Sequence, residues 1–461
     1  KEGSEPSAWV RSKTQKRSAV ARFRLRGSRQ SLPTMNLRRA SAAAFSAAAS
    51  SAAGVASRRS ALPRSSFPSD ADGEPSIGVC RRGATTLGLG LGLMLLTAAH
   101  AVEIPSDYHV PFTPENAIIG YFSPTKKPVL TVKSGAVVRI DGGGGQRWRD
   151  DDPDKWLKEN NIPATLATCP ALAETIKVLK ETTNKLPPPP PAPPAPGMPV
   201  TLPTGAGGHL LVGPIYVEDA APGDTLEVRI LDVTPRIPYG TVSAMPGRGG
   251  IPDLVPRPWT RIVMLDLKRN AGVFDARTEV PLAPFMGVMA TCPPDSEGPE
   301  RRSGPPGVFG GNLDCKELVA GSTLYLPVFQ PGGLFYTGDS HAAQGDGEIT
   351  VNAIETANVC TLQFIVHKGM KIAAPRAETP THYLTFGLDP DLNKAMRMAI
   401  TETIDFLKEH RKYDFFEAYT LASIGVDFRV TQVVDGTLGI HGMIPKKLFL
   451  DELDHYWFRA R

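Results

Sequence analysis

Apolar and polar residues alternate with a period of two through much of the chain, which is the pattern of half-buried strands. In PVLTVKSGAVVRIDGGGG (128–145), Val129, Leu130 and Val132 precede a Ser-Gly turn and Val137, Val138 and Ile140 follow it. This predicts two strands, with Asp141 at the end of the second beside a run of glycines. In HLLVGPIYVEDAAPGDTLEVRILDV (209–233) the pattern predicts strands at 216–217 and 225–233, joined by the turn Ala221-Pro222-Gly223-Asp224. Further strands are expected at 259–268, 280–290, 323–328, 349–354 and 359–366. The period then changes: Ala395, Met398, Ala399, Thr403 and Leu407 recur at three-to-four spacing and predict a helix over 389–410. A helix at 415–421 and a strand at 428–434 follow. The expected class is α+β, with a β-rich core of packed antiparallel sheets and a helical C-terminal portion.

Three segments interrupt this pattern. Residues 148–204 read as an insertion, with a helix at 171–179 and a stiff polyproline run, PPPPPAPPAP, at 187–196. The segment 245–256, rich in Pro and Gly, is expected to be a long loop suited to a lid. Residues 1–101 differ in kind. No Asp or Glu occurs between Ser7 and Ser69, where Arg, Ser and Ala dominate, as in an organellar transit peptide. Met35 is a plausible translation start. Arg81-Arg82, a short apolar core at 87–96 and Ala99-His100-Ala101 then resemble a cleavable twin-arginine signal. That order predicts a plastid protein sent on to the thylakoid lumen, with other plastid compartments or bacterial-type export as alternatives. The working domain is expected at 102–461.

The net charge of +4 misleads, because residues 1–101 hold 16 Lys/Arg against 5 Asp/Glu and the remainder holds 35 against 42. A mildly acidic domain excludes an electrostatic case for nucleic acid or for an anionic membrane once the leader is removed. Cys169, Cys292, Cys315 and Cys360 form no CxxC pair, so free core thiols are expected.

Polar chemistry concentrates in 310–355. Its centre, GDSHAAQGDGE (338–348), gathers Asp339, His341, Gln344, Asp346 and Glu348 between apolar runs. Asp-x-His in an extended segment puts both side chains on one face. An imidazole among carboxylates is a recurring ligand set for a hydrolytic divalent cation, most often zinc. The plainer reading is a solvated hairpin whose acids cap turns. No GxSxG elbow is present, and no Ser or Cys stands in a nucleophile motif.

The runs GGNLD (310–314) and GSTLYLPVFQPGGLFYTGDSHAAQGDGE (321–348) closely resemble the acetamidase/formamidase family of amide hydrolases. VVRIDGGGG (137–145), HLLVGPIYVEDAAPGDTLEV (209–228), PLAPFMGVMA (281–290) and AYTLASIGVDFRVTQVVDGTLGIHGMIPK (418–446) extend the resemblance. It implies a fold of β-sandwich type and hydrolysis of short linear amides to ammonia and the acid, by a homo-oligomer holding a divalent metal, with zinc the expected ion. Carried onto this chain, it implies Asp141, Asp339 and His341 near the metal. Glu348 is then the acid/base, with Asp314 and Gln344 as further catalytic residues and His209, Asn312 and Asp346 in the substrate pocket. The alternative is an inactive or repurposed member acting as a binding or scaffold protein.

Overall fold

The computed structural model describes residues 104–144, 152–186 and 208–451. The leader at 1–101, the polyproline run and the ends of the insertion lie outside them. Two large sheets carry the fold. The first has nine strands, in the order Tyr108–Val110, Val137–Asp141, Asn358–His367, Thr225–Pro235, Thr323–Pro327, Arg376–Glu378, His382–Asp389, Leu438–Pro445 and Asp427–Gln432. The second orders Gly310–Asn312, Phe285–Ala290, Phe335–His341, Leu210–Val217 and Ala117–Ile119, with Leu130–Val132 also paired to Leu210–Val217. Pairing is antiparallel except for Tyr108–Val110 on Val137–Asp141 and Leu130–Val132 on Leu210–Val217. The α+β expectation holds.

The sheets meet through one apolar core. Val138, Ile140, Val228, Leu362 and Phe364 of the nine-stranded sheet share it with Val212, Ile215, Met289 and Phe335 of the other. The rings of Phe335 and Phe364 stand 4.9 Å apart, edge to face. On the opposite face of the second sheet, Leu211, Val288 and Tyr336 enter a separate cluster with Phe122 and Phe309. Adjacent residues thus feed opposite cores, as the two-residue period requires. A strand buried on both faces has no reason to alternate apolar with polar, and FMGVMA at Phe285–Ala290 does not.

A third sheet, Thr278–Pro281, Ala271–Asp275, Trp259–Asp266 and Tyr239–Ala244, splits the single strand expected at 280–290 into two. The insertion supplies helices Pro153–Glu159 and Pro170–Glu181, whose Leu157 and Leu172 pack with Tyr239. The C-terminal helix Leu392–Arg411 starts at Asp391, whose carboxylate accepts the amides of Asn393 and Lys394 at 2.8 and 3.3 Å. Lys412 ends it in the left-handed conformation, and Asp414 and Glu417 open Phe415–Gly425 with a reciprocal capping box.

One expectation fails. Residues 349–354 form turns rather than a strand. Glu348 and Val351 adopt φ of 43° and 67°, so the chain coils, and Ile349 is left exposed instead of buried by alternation.

The turn at Asp224 shows how loops are tied to this frame. Its carboxylate accepts the Ala221 amide (2.8 Å), the Gly369 amide (2.8 Å) and Lys368 Nζ (2.6 Å). Burial pushes the carboxyl upward, but these donors outweigh it and hold the group below the ordinary carboxylate range. A depressed carboxylate stabilises the fold above its unfolded pKa, and that stability fades as pH falls through the folded value. Asp224→Asn is therefore expected to cost about 1–3 kcal/mol at pH 7. The gap should close in strong acid; a pH-independent gap in urea denaturation would contradict the assignment.

Candidate active site

Asp339 and His341 lie on the strand Phe335–His341, and the two-residue period brings them to one face. His341 Nε2 stands 3.3 Å from Asp339 Oδ2 and 3.4 Å from Glu355 Oε1, with a hydrogen bond of good geometry to neither. The other ring nitrogen, Nδ1, lies 3.1 Å from Gln344 Oε1. Gln344 Nε2 donates to the Asp314 carbonyl at 2.7 Å, which leaves Oε1 as the acceptor and places the imidazole proton on Nδ1. Nε2 is then the ring atom that faces the acids, bearing a proton while the imidazole is charged and open as a ligand atom once that proton leaves. Asn358 Nδ2 fixes the strand ends by donating to the carbonyls of Phe285 (3.0 Å) and His341 (2.9 Å).

Three further acids close on this point. Asp314 is 1% exposed, with Oδ1 unpaired and 4.0 Å from His341 Nδ1. Asn312 Nδ2 donates to Asp314 Oδ2 at 2.6 Å and to Asp435 Oδ2 at 3.0 Å, bridging the two carboxyls. Glu348 falls within 4.8 Å of His341 and Glu355, and likewise of Asp314 and Asp435. Asp314, Asp339 and Glu348 all have positive φ, at 47°, 58° and 43°. Backbone strain of this kind concentrates at functional sites.

The charges are unbalanced. Burial, then Glu348, Asp435 and Asp339, push the Asp314 carboxyl far above its ordinary range. Burial, and then Asp435, Glu355 and Asp339 against the opposing pull of His341, do the same for Glu348. Asp435 is raised mainly by burial. Burial would lower His341, but Asp339 and Glu355 carry it up to about 10. A set of carboxyls that must hold protons for want of positive charge is one that a bound cation would relieve. Two ligand groups share His341: Asp314–Asp339–His341 and His341–Glu348–Glu355.

The acids open onto a cavity of about 470 Å³, lined among others by His209, Arg248, Asn312, Asp339, Glu348 and Glu355. That size suits a small ligand. Gly287 makes the crowding possible: a Cβ there would stand 2.5 Å from Asp314 Oδ1, 2.6 Å from Asp339 Oδ2 and 2.9 Å from His341 Cε1.

The structure brings together Asp314, Asp339, His341, Gln344 and Glu348, with His209 and Asn312 beside them. Two of the expected residues stand apart from this cluster. Asp141 belongs to no ligand group among the described residues: its Oδ2 faces His109 (2.9 Å) and Arg236 (3.4 Å), and its Oδ1 is buried without a hydrogen bond. The glycines after it are what reach the cavity. Gly144, at φ 147°, has no room for a Cβ, which would lie 2.1 Å from the Thr356 carbonyl. Asp346 is exposed, pairs with Lys316 at 3.3 Å and does not line the cavity. Glu355 and Asp435 were not anticipated as site residues, although both fall within the stretches 310–355 and 418–446. The acidic residue itself was the signal available in each.

A sequence model described as the Acetamidase/Formamidase family matches residues 200–303 and 297–450. A formamidase of Methylophilus methylotrophus is 27% identical over 303 residues, covering 49% of this chain and 73% of the relative. The solved structure of an acetamidase from Bacillus halodurans superposes with a TM-score of 0.57 at 26% identity, over 74% of this chain and 98% of that one. An acetamidase from Yersinia enterocolitica gives a TM-score of 0.57 at 24% identity, over 74% and 92%, and supports the fold alone.

Gly287→Ala tests the packing of the acids. Moving catalytic groups by about 1 Å can cost about 10²-fold in rate. A loss of that order in turnover within this cavity is expected, with a cooperative unfolding transition retained. Near-normal turnover would mean that the close approach is dispensable.

Proposed function

Because the chain belongs to the acetamidase/formamidase family, and is thus an amidase, we propose that it hydrolyses short linear amides to ammonia and a carboxylic acid at the His341 cluster. The observation that carries this reading is the convergence of four carboxyl groups on His341, with Asp435 joined to them beside Asp314 and Glu348, and with Asp314 Oδ1 and His341 Nε2 buried without a hydrogen bond of good geometry. These atoms fit a divalent cation by their chemistry, zinc being the ion most used with such donors. Asp314, Asp339 and His341 would hold it, with Glu355 alongside. When bound, such an ion supplies Lewis-acid polarisation and lowers the pKa of water.

The remaining work falls to side chains of this chain. Gln344 holds the Nδ1 edge of His341, so that Nε2 is presented to Asp339 and Glu355. Glu348 is buried at the cavity wall and is kept able to carry a proton by burial and by its acidic neighbours. Its carboxyl oxygen delivers that proton to the departing nitrogen, without which ammonia leaves poorly. Asn312 and His209 line the wall beside the acids and orient the amide group. The exposed side chains of Phe415, Phe416 and Tyr419, whose rings pack together on one short helix, form an apolar patch suited to self-association, which belongs to the same proposal.

Release of ammonia from formamide, acetamide and propionamide, with and without a chelator, tests the reading. Chelator-sensitive release is expected. His341→Ala should remove bound metal and activity together. Glu348→Gln should keep the metal and lower turnover by about 10²–10⁴-fold. Undiminished turnover in Glu348→Gln would remove that residue from the mechanism. A folded, metal-loaded chain releasing no ammonia from any of the three would favour a repurposed binding protein.

A further inference from the structure

A second set of ligand-bearing side chains stands next in sequence to Asp314 but outside the cavity lining. Cys315, Glu317 and His441 place a sulfur, a carboxylate oxygen and an imidazole nitrogen within 4.8 Å of one another. Cys315 is 1% exposed and His441 0%. The two oxygens of Glu317 divide their partners. Oε1 takes the cations, with Lys316 Nζ at 2.6 Å and Arg429 at 3.2 Å. Oε2 faces Cys315 Sγ at 3.4 Å and His441 Nε2 at 3.4 Å. His441 Nδ1 is occupied by Thr431 Oγ1 at 2.8 Å, while Nε2 is buried and makes no hydrogen bond of good geometry.

We propose that Cys315 Sγ, Glu317 Oε2 and His441 Nε2 form a structural site for a divalent cation of the zinc type. In a tetrahedral site with Zn–S of about 2.3 Å, Zn–N of about 2.0 Å and Zn–O of about 2.1 Å, neighbouring ligand atoms stand roughly 3.4–3.6 Å apart. Both separations given above match that edge length. The contact of Thr431 with the far ring nitrogen is the outer-sphere bond that ligating histidines make. Nor do the neighbouring cations oppose an ion at Oε2. Both sit on Oε1, Lys316 is itself shared with Asp346, and Arg429 is 40% exposed. As the sulfur–metal bond forms, the thiol proton leaves to solvent. Such an ion ties the 314–317 segment to the strand Leu438–Pro445 and braces the strained Asp314 turn from outside the cavity.

The amide-hydrolysing cluster offers only oxygen and nitrogen, so sulfur separates the two sites spectroscopically. Titrating the full chain with Co²⁺ alone should produce a near-ultraviolet sulfur-to-cobalt charge-transfer band. The band should persist in His341→Ala and vanish in Cys315→Ser. Thr431→Val should weaken cobalt binding about 10–100-fold while the band still appears at saturation. No band in the folded wild-type chain at saturating cobalt, or a band that survives Cys315→Ser, would overturn the site. Should Cys315→Ser fail to fold, X-ray absorption on the zinc-loaded His341→Ala chain decides: one sulfur scatterer is expected, and an all-oxygen/nitrogen shell would overturn the proposal. Neither outcome depends on amide turnover, so this site and the catalytic reading stand or fall separately.

Discussion

Crowding of like charge is the constraint around which this molecule is built. Two carboxylates held about 4 Å apart repel by about 4 kcal/mol at an effective dielectric of 20, and the His341 cluster contains five carboxyl groups. No sheet would adopt that arrangement for its own stability. Much of the surrounding architecture serves to enforce it. The double-sided core packs the strand Phe335–His341 on both faces, Gly287 leaves a gap where any side chain would collide, Asn312 bridges Asp314 and Asp435, and Asn358 ties the carbonyls of Phe285 and His341. Three acids sit on a left-handed backbone, which costs about 1–3 kcal/mol per strained residue. In the proposed reaction the same compression supplies the chemistry, since buried acids that favour a proton or a cation over solvent can do both at an amide.

Much of this was legible in the sequence, for reasons that differ between elements. The strand period placed Asp339 and His341 on one face before any coordinates, and the three-to-four spacing located the helix Leu392–Arg411 within about a turn. Both are local properties, read within one element. Glu355 and Asp435 are not local. They arrive from a coil after Val351 and from the turn following the strand Asp427–Gln432, and only the folded chain shows that they meet Glu348 and Asp314. Asp141 stands apart for a related reason. Its motif reaches the cavity through glycine backbone, while its Oδ2 faces His109 and Arg236.

The second ligand set follows the same logic from the other side of the Asp314 turn. Cys315 and Glu317 are separated by one residue, but His441 is contributed by a strand far along the chain. A sequence without CxxC spacing gave no sign of it. Two cation sites flanking one strained turn would divide the labour between chemistry at Asp314 and support behind it.

The central claim, that the clustered acids exist to hold a cation at His341, is tested most directly by anomalous diffraction from crystals of the metal-loaded chain, recorded on both sides of the zinc edge. The account predicts a peak within bonding distance of Asp339, His341 and Asp314 or Glu355, in full-length protein and without added substrate. A well-ordered cluster with no peak at His341, its carboxyls paired through shared protons instead, would contradict it.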